Sequence, residues 1–600
     1  SRRRKTKCDG VKPRCRHCST KQVPCDWGDE EQPRARSAYT PTPTVSPLPA
    51  SESPAPAATF CFQYFYERHL ATDFCSFLYR PDFEASYTES PFLVASILAL
   101  CIRYVDEEEV QTHLGWSSPR EASRQYASAA RAMARQASDQ PSVVNIQAHL
   151  VLALSELLSD SGSSHWMYSG TAIRMAQVMR LNKEYQQEHT LKEREMRRRT
   201  FWACLLFDRL IAYLLSKPRT ISVLNVGIPL PCTDMSLIYQ EPTHGITLDH
   251  IVSFSQRPSE IGLIPYFIKT VVLWSDVADI RVCRWRFLDI LPPTNPSSRF
   301  ARHHSAVSSW AEALPPGLQW TPQNYALHRD LGQGRPFVAM HFLLHGALCV
   351  AYQMYIPQTD SLSVLHDTVD AAGWSMLHRE PEFISATVIN ALAIGEKVSF
   401  LMSQDTQGQG QGQSVLQSVW VLSAVLSAAN TLFWLKYAGD ISPIVDDSAK
   451  IRAGTYIDLF MSLFASWTPQ WSAAKLWIAT LTELAGAYRQ AYLGSVNEDE
   501  TEGNEDLSAG GSGQITPPDR EAEGQYRPKP GDGLPPVTEA SPLSLHASMG
   551  LNVADRPAQA SRPHNPPPIW FQLASAGPTV TDGTYDGEAF TMALHLADMH

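Results

Sequence analysis

Cysteine is scarce in this chain of 600 residues and 66.7 kDa: there are 11, far too few for a disulfide scaffold. Seven of them, Cys61, Cys75, Cys101, Cys204, Cys232, Cys283 and Cys349, stand singly in apolar segments, where a reduced, buried thiol is the expected state. The sequence contains no Gly-x-Ser-x-Gly elbow and no Walker phosphate loop. A short run, Gln407–Gln413, alternates Gln with Gly but follows no predicted strand, so it does not read as a phosphate loop. His341 and His345 have helical i,i+4 spacing, yet they lack the glutamate of a zinc-protease motif and read as core histidines. With its nucleophile candidates confined to apolar helices, the chain is not expected to be an enzyme. The first 28 residues lack any apolar stretch, which argues against a secretory leader and for a reducing compartment.

What is present is strongly segmented. At about 150 residues per domain the length suggests three to four units, and 44% hydrophobic residues suffice for a large core. Residues 1–28 hold nine Lys/Arg against two acids, a net +7. Subtracting that +7 from the overall −11 leaves −18 on the other 572 residues. A basic head on an acidic body points to a nucleic-acid-facing arm attached to something else. Residues 29–58 carry seven prolines among Ser, Thr and Ala and read as an extended, disordered linker.

From residue 59 to 494 the apolar residues recur every three or four positions, and the body is predicted to be all-α, as two merged lobes. Helices are expected over Ser90–Tyr104, Asn145–Leu158, Trp166–Leu181, Met196–Leu215, Phe337–Ile356, Val415–Leu435 and Ala453–Trp467. Val415–Leu435 is 21 residues without a charge, and Phe337–Ile356 is similar. Both are long enough to span a membrane. Their Ser, Asn, Gln and His residues fit a buried helix better than lipid, so no membrane partner is expected. Residues 495–600 begin with an acidic run and hold twelve prolines between Pro517 and Pro568, the composition of a disordered tail. Its end mixes Trp570, Phe571, Leu573 and Leu594 with Asp582, Asp586, Glu588 and Asp598. Two readings stand equal: an activation segment, or a tail that docks on the body.

The remaining four cysteines cluster as Cys8-x6-Cys15-x2-Cys18-x6-Cys25, preceded by Arg2-Arg-Arg-Lys-Thr-Lys7 and interleaved with Lys12, Arg14, Arg16 and Lys21. Thiolates at this spacing are good zinc ligands, and a knot of this size has so little core that the metal would supply most of its folding energy. This stretch resembles the fungal Zn2Cys6 binuclear cluster, whose last four cysteines match Cys8, Cys15, Cys18 and Cys25 and whose Lys-Pro matches Lys12-Pro13. The resemblance implies two zinc ions, with Cys15 as a bridge, Cys8 a terminal ligand of the first, and Cys18 and Cys25 terminal ligands of the second. It also implies a helix entering the major groove at a CGG-type triplet. Lys5, with Arg4 beside it, would read guanine through its adjacent O6 and N7 acceptors, while Arg2, Lys7 and Arg14 would hold phosphates. The family pattern has a further cysteine where this sequence has Ser1, so the head is incomplete at its N-terminus. As written it is expected to hold one zinc or fewer tightly. A truncated sequence and a degenerate cluster both fit, and the absence of an initial Met favours truncation.

A second resemblance lies in "SSHWMYSGTAIRMAQVMRLNKE" and "LKEREMRRRTFWACLLFDRLIAYLLSKPRTISVLNVGIPLP", which are similar to the middle homology region, the regulatory domain of fungal transcription factors. Within it, Trp166, Gly170, Ile173 and Gln177 are expected on one packing face, with Ala172, Ala176 and Met179 alongside. Asp208 and Arg209 are expected to pair with charges on neighbouring helices, and Arg197-Arg198-Arg199 with Glu193, Glu195 and other acids rather than with DNA. The two resemblances together imply a nuclear, sequence-specific regulator of RNA polymerase II transcription. Its partners would be double-stranded DNA, a homo- or heterodimer partner, coactivators, and a small molecule or protein held by the body. The alternative is a degenerate cluster protein acting through its helical body without DNA binding.

Overall fold

The three- and four-residue apolar spacing is realised as helix after helix. The computed structural model describes positions 62, 65–66, 74, 77–80, 83–84 and 89–90. It then describes 91–489, apart from 160–161, 185–188, 216, 242–244, 252–260, 283–290, 292–294, 354–380, 406–414, 438–446 and 487. The expectations for the head (1–28), linker (29–58) and tail (495–600) lie outside the described residues.

The first half of the body comprises α1 (Pro91–Cys101), α2 (Glu107–Leu114), α3 (Pro119–Ala137), α4 (Val143–Leu158), α5 (Ser164–Val178), α6 (Leu191–Leu214) and the short α7 (Asp234–Ile238). The second half comprises α8 (Leu263–Val282), α9 (Arg299–Glu312), α10 (Pro322–Asp330), α11 (Gly334–Gln353), α12 (Pro381–Asp405), α13 (Val419–Tyr437) and α14 (Asp447–Trp467). Local chemistry sets several starts. Ser118 accepts from Glu121 N with Pro119 in the first turn of α3, and Ser142 accepts from Asn145 N at α4. Thr190 and Glu193 form a reciprocal capping box at α6. Among the described residues the β pairing is one isolated parallel bridge, Lys183 with Gly227.

Packing proceeds from neighbour to neighbour. α1 lies against α3 and α4, α4 against α5, and both α4 and α5 against α6; α6 then meets α8. α8 packs on α9 and α11, α11 on α12 and α13, and α13 on α12 and α14. The expected two lobes are a single body, because the buried apolar residues form one cluster running from Phe62 to Leu481. Trp420 joins the halves, its ring 5.8 Å from Phe74, 5.6 Å from Phe267 and 6.0 Å from Trp274. The Tyr213 hydroxyl of α6 meets Ser427 Oγ of α13 at 2.9 Å.

The two span-length apolar helices are core elements: 89% of Gly334–Tyr352 and 94% of Val419–Tyr437 is buried inside the body. Every residue from Val419 to Leu435 is buried. The small side chains along α13 let α11 come close. A Cβ placed on Gly346 would stand 3.0 Å from Ala424 Cβ and 3.2 Å from its Cα.

One expected face is corrected. The residues of α5 that enter the core are His165, Ser169, Ala172, Ile173, Met175 and Ala176. Gly170 faces open space and Gln177 is exposed, so the stripe through Trp166 and Gly170 runs along the margin of the buried face rather than its centre. The two glycines therefore predict opposite outcomes. Gly346→Val should cost about 1–3 kcal/mol through overpacking. Gly170→Ala should gain up to about 1 kcal/mol, because alanine loses less backbone entropy in a helix. Urea unfolding of the full chain measures both, and equal effects at the two positions would contradict this packing.

Candidate functional site

The residues assigned to metal and DNA, Cys8, Cys15, Cys18, Cys25, Arg2, Arg4, Lys5, Lys7 and Arg14, all lie outside the described residues. Their chemistry still tests the fit. Four thiolates with a central Cys-x2-Cys suit the soft, tetrahedral preference of zinc. Among the described residues no group of His, Cys, Asp and Glu is arranged to hold a metal. Among the described residues the body's cysteines are Cys101, Cys204, Cys232 and Cys349, all present as thiols. Cys101, Cys204 and Cys349 are buried, and burial pushes Cys232 up to about 12 and Cys204 and Cys349 higher still.

In the body the functional candidates centre on α6, whose sequence places charges inside the fold. Arg198 donates to Glu195 at 2.6 Å and to Glu184 at 2.7 Å. Arg199 donates to Glu195 at 2.9 Å, to Asp234 at 2.7 Å and to the Cys232 carbonyl at 3.0 Å. Arg197 reaches the Met179 carbonyl at 3.4 Å. The basic triplet thus turns inward, as expected, and its second and third arginines share Glu195. Glu193 is not one of its hydrogen-bonded partners: its carboxylate accepts from the Thr190 backbone N–H, and that bond holds it below the usual carboxylate range.

Asp208 and Arg209 also differ from expectation. They pair with each other at 2.5 Å instead of with a neighbouring helix. Asp208 accepts from Thr220 N and Ile221 N at 2.8 and 3.0 Å, and Arg209 donates to the Ile221 carbonyl at 2.7 Å. Backbone groups of the following loop therefore partner both side chains, with Arg209 Nε left buried without a hydrogen bond, while Arg219 extends the clamp to Asp276 at 2.6 Å and to Asp279.

Two cavities flank this frame. One of about 540 Å³ lies between α5 and residues 220–227, lined by Ile173, Ala176, Phe201 and Ile221 with Asn182 and Lys183 among its polar groups. The other, about 300 Å³, lies along the first turns of α6 against Pro229, Ser236, Leu237 and Gly245 and is mostly polar, with Arg194, Glu195, Arg198, Cys232 and Glu241 in its wall. Neither was legible in the sequence, because each brings a helix against a connecting segment far along the chain.

His341 and His345 are satisfied core histidines. His341 Nε2 donates to the Leu318 carbonyl at 2.9 Å, and His345 Nδ1 donates to Asn390 Oδ1 at 2.9 Å. Burial depresses them to about 3 and about 4, and the nearby Lys397 ammonium adds to the depression. Lys397 is itself lowered to about 8 by burial, with its Nζ 5.1 Å from the Trp320 ring centre.

The chain thus joins a cysteine-rich basic stretch to a helical body. Residues 62–366, just over half of the chain, match the fungal specific transcription factor domain, and the chain belongs to that family. Residues 2–35 match the fungal Zn(2)-Cys(6) binuclear cluster domain, so zinc is the metal of the head. Among curated proteins the chain is 29% identical over 291 residues to an uncharacterized transcriptional regulatory protein of Schizosaccharomyces pombe, covering 44% of this chain and 41% of that one. A second such protein of the same yeast is 26% identical over 397 residues, covering 62% of this chain and 38% of that one. A Zn(2)-C6 fungal-type transcription factor of Fusarium oxysporum f. sp. lycopersici is 26% identical over 286 residues, covering 44% of this chain and 30% of that one. The chain thus spans less than half the length of these relatives. No solved structure matches it.

His341, which is buried, and His345, which is half-buried, carry a pH prediction. Both are neutral in the fold, whereas the unfolded chain takes up their protons as pH falls through about 6.5. Their contribution is therefore complete above pH 6.5 and is lost as pH falls toward about 3 for His341 and about 4 for His345. For His345 that amounts to about 3 kcal/mol at its lower limit. Urea midpoints between pH 7 and 4.5 should fall less steeply for His345→Gln than for the parent, and parallel profiles would contradict the assignment.

Proposed function

We propose that this chain is a nuclear transcription factor that reads CGG-type half-sites through its zinc head and regulates RNA polymerase II genes. It acts as a regulator and not as an enzyme. The observation that carries the reading is the interleaving of nine cations with four zinc-competent cysteines in residues 1–28, inside the stretch that matches the binuclear cluster. Cys8, Cys15, Cys18 and Cys25 hold zinc and thereby fix the basic segment. Zinc supplies folding energy to a head too small to have a core. Lys5 and Arg4 read guanine edges in the major groove, and Arg2, Lys7 and Arg14 grip phosphates. In this organisation residues 29–58 space the head from the body (59–494), and residues 495–600 form the tail. The DNA contact lies in the head, since the second basic run of the chain, Arg197–Arg199, has its arginines turned to carboxylates and backbone carbonyls of the body. The partners are double-stranded DNA, a second subunit for paired half-sites, and coactivators.

The test is DNA binding by the full chain, with the upstream cysteine pair of the family pattern restored, across a randomised triplet library at several salt concentrations. Lys5→Ala should lose about 1–3 kcal/mol of discrimination at one base. Arg2→Ala should weaken all sequences alike and reduce the salt slope by about one unit. Chelation of zinc should abolish both kinds of binding. Sequence-independent loss for Lys5→Ala would remove its role as reader, and no DNA binding by the zinc-loaded parent would favour a regulator working through its body alone.

The tail is assigned activation because acids keep its aromatics in water and available to a coactivator groove. Residues 563–600 fused to a neutral DNA-binding module should drive a reporter. Changing Trp570, Phe571, Leu573 and Leu594 together to Ala should remove that output; an inert parent fusion places activation elsewhere.

A further inference from the structure

Arg198, Arg199 and Arg209 each bury a guanidinium against a carboxylate. Arg103 does not. It is 7% exposed, yet it makes no ion pair among the described residues. Its acceptors are the carbonyls of Ala99, Ser155 and Gln470 and the hydroxyls of Ser123, Ser155 and Ser159. They are unevenly spread. All but the Gln470 carbonyl crowd on Nη2, Nη1 has that carbonyl at 3.5 Å, and Nε is sealed from solvent without a partner. The carboxylate that acts on Arg103 from a distance, Glu156, is already taken by Arg131 at 2.7 Å and by the Ser164 hydroxyl at 2.8 Å.

A buried cation without a counter-charge is a standing cost. Three hydroxyls ring this one, and their exposure separates them. Ser123 and Ser155 are buried, whereas Ser159 is half-buried at the C-cap of α4. Ser159 Oγ lies 3.1 Å from Arg103 Nη2 and donates to the Ser155 carbonyl at 2.6 Å. A phosphate on this oxygen would bring a dianion and three acceptor oxygens to a guanidinium with donors to spare on Nη1 and Nε, the planar fork that suits phosphate. Two effects oppose it. A helix C-terminus disfavours negative charge, and Glu156 stands three residues earlier. The first is weak beside an uncancelled buried charge, and Arg131 answers the second.

We propose that Ser159 is a phosphorylation site whose phosphate is held by the buried guanidinium of Arg103. A protein kinase would transfer the terminal phosphoryl group of a nucleoside triphosphate. The Ser159 Oγ–P bond forms as the bond to the departing nucleoside diphosphate breaks, and the hydroxyl proton passes to the base of the kinase. Arg103 touches α1, α3, α4 and the segment after α14, so the modification would brace the contact between the two ends of the helical body. The inference goes beyond DNA reading and does not depend on it.

The experiment places phosphoserine at position 159 of the full, zinc-loaded chain, with phosphoserine at Ser138 as the control. Ser138 is likewise a helix C-cap but is exposed. Phosphorus NMR then follows each phosphate through its second ionisation, ordinarily near pH 6. At Ser159 that ionisation should fall by about one unit or more, tenfold in proton affinity, and at Ser138 it should stay near its ordinary value. Arg103→Met should return the Ser159 phosphate to the ordinary value. Should that variant fail to fold, the comparison with Ser138 still decides. The urea midpoint of the chain phosphorylated at 159 should lie at or above that of the parent. Mass spectrometry of the chain isolated, across growth conditions, from the cells that naturally make it should find phosphate on Ser159. The proposal is overturned if the two phosphates titrate alike, if phosphorylation at 159 lowers the urea midpoint, or if Ser159 is unmodified in those cells. Loss of DNA binding by the head would leave these outcomes unchanged.

Discussion

Charge that is buried must be cancelled where it lies, and α6 is where this body meets that constraint. Glu195, Arg198, Arg199, Asp208 and Arg209 are all buried on one helix. Removing one partner from such a pair leaves an uncompensated charge at a cost of about 3–5 kcal/mol. Their partners come mostly from connecting segments: Glu184 before α6, the backbone at 220–221 after it, and Cys232 and Asp234 beyond. Satisfying the helix therefore fixes the paths of the loops around it. Both cavities lie where those loops meet α5 and α6, so the charge frame also shapes the surfaces available to ligands.

The aromatic core does the corresponding work between the halves. Phe74 stacks on Phe207 of α6 with ring centres 4.0 Å apart and also reaches Trp420 of α13. Farther along, Trp471 Nε1 donates to the Tyr104 hydroxyl at 2.6 Å, tying the segment after α14 to the segment after α1. Arg103 sits beside this junction, buried, with its guanidinium on Ala99 O, Ser155 Oγ and Ser159 Oγ. The family match ends at residue 366, yet the common core continues to Leu481. α12 to α14 are thus structural partners of the matched region and not a separate unit.

The sequence by itself determined whatever depends on short-range pattern. Thiolate spacing in Cys8–Cys25 identified the metal, apolar periodicity located the long helices, and Ser, Asn and His residues marked α11 and α13 as core. The inward turn of Arg198 and Arg199 toward Glu195 was legible because i,i+3 and i,i+4 neighbours share a helix face. Only the tertiary structure decided the rest. Periodicity gives the spacing of a stripe but not its direction, so the core face of α5 was set by where α4 and α6 lie. Asp208 and Arg209 found backbone partners that no residue type announces. Arg194 and Glu241 belong to one pocket only because the chain between them returns along α6, a long-range closure that local sequence does not encode.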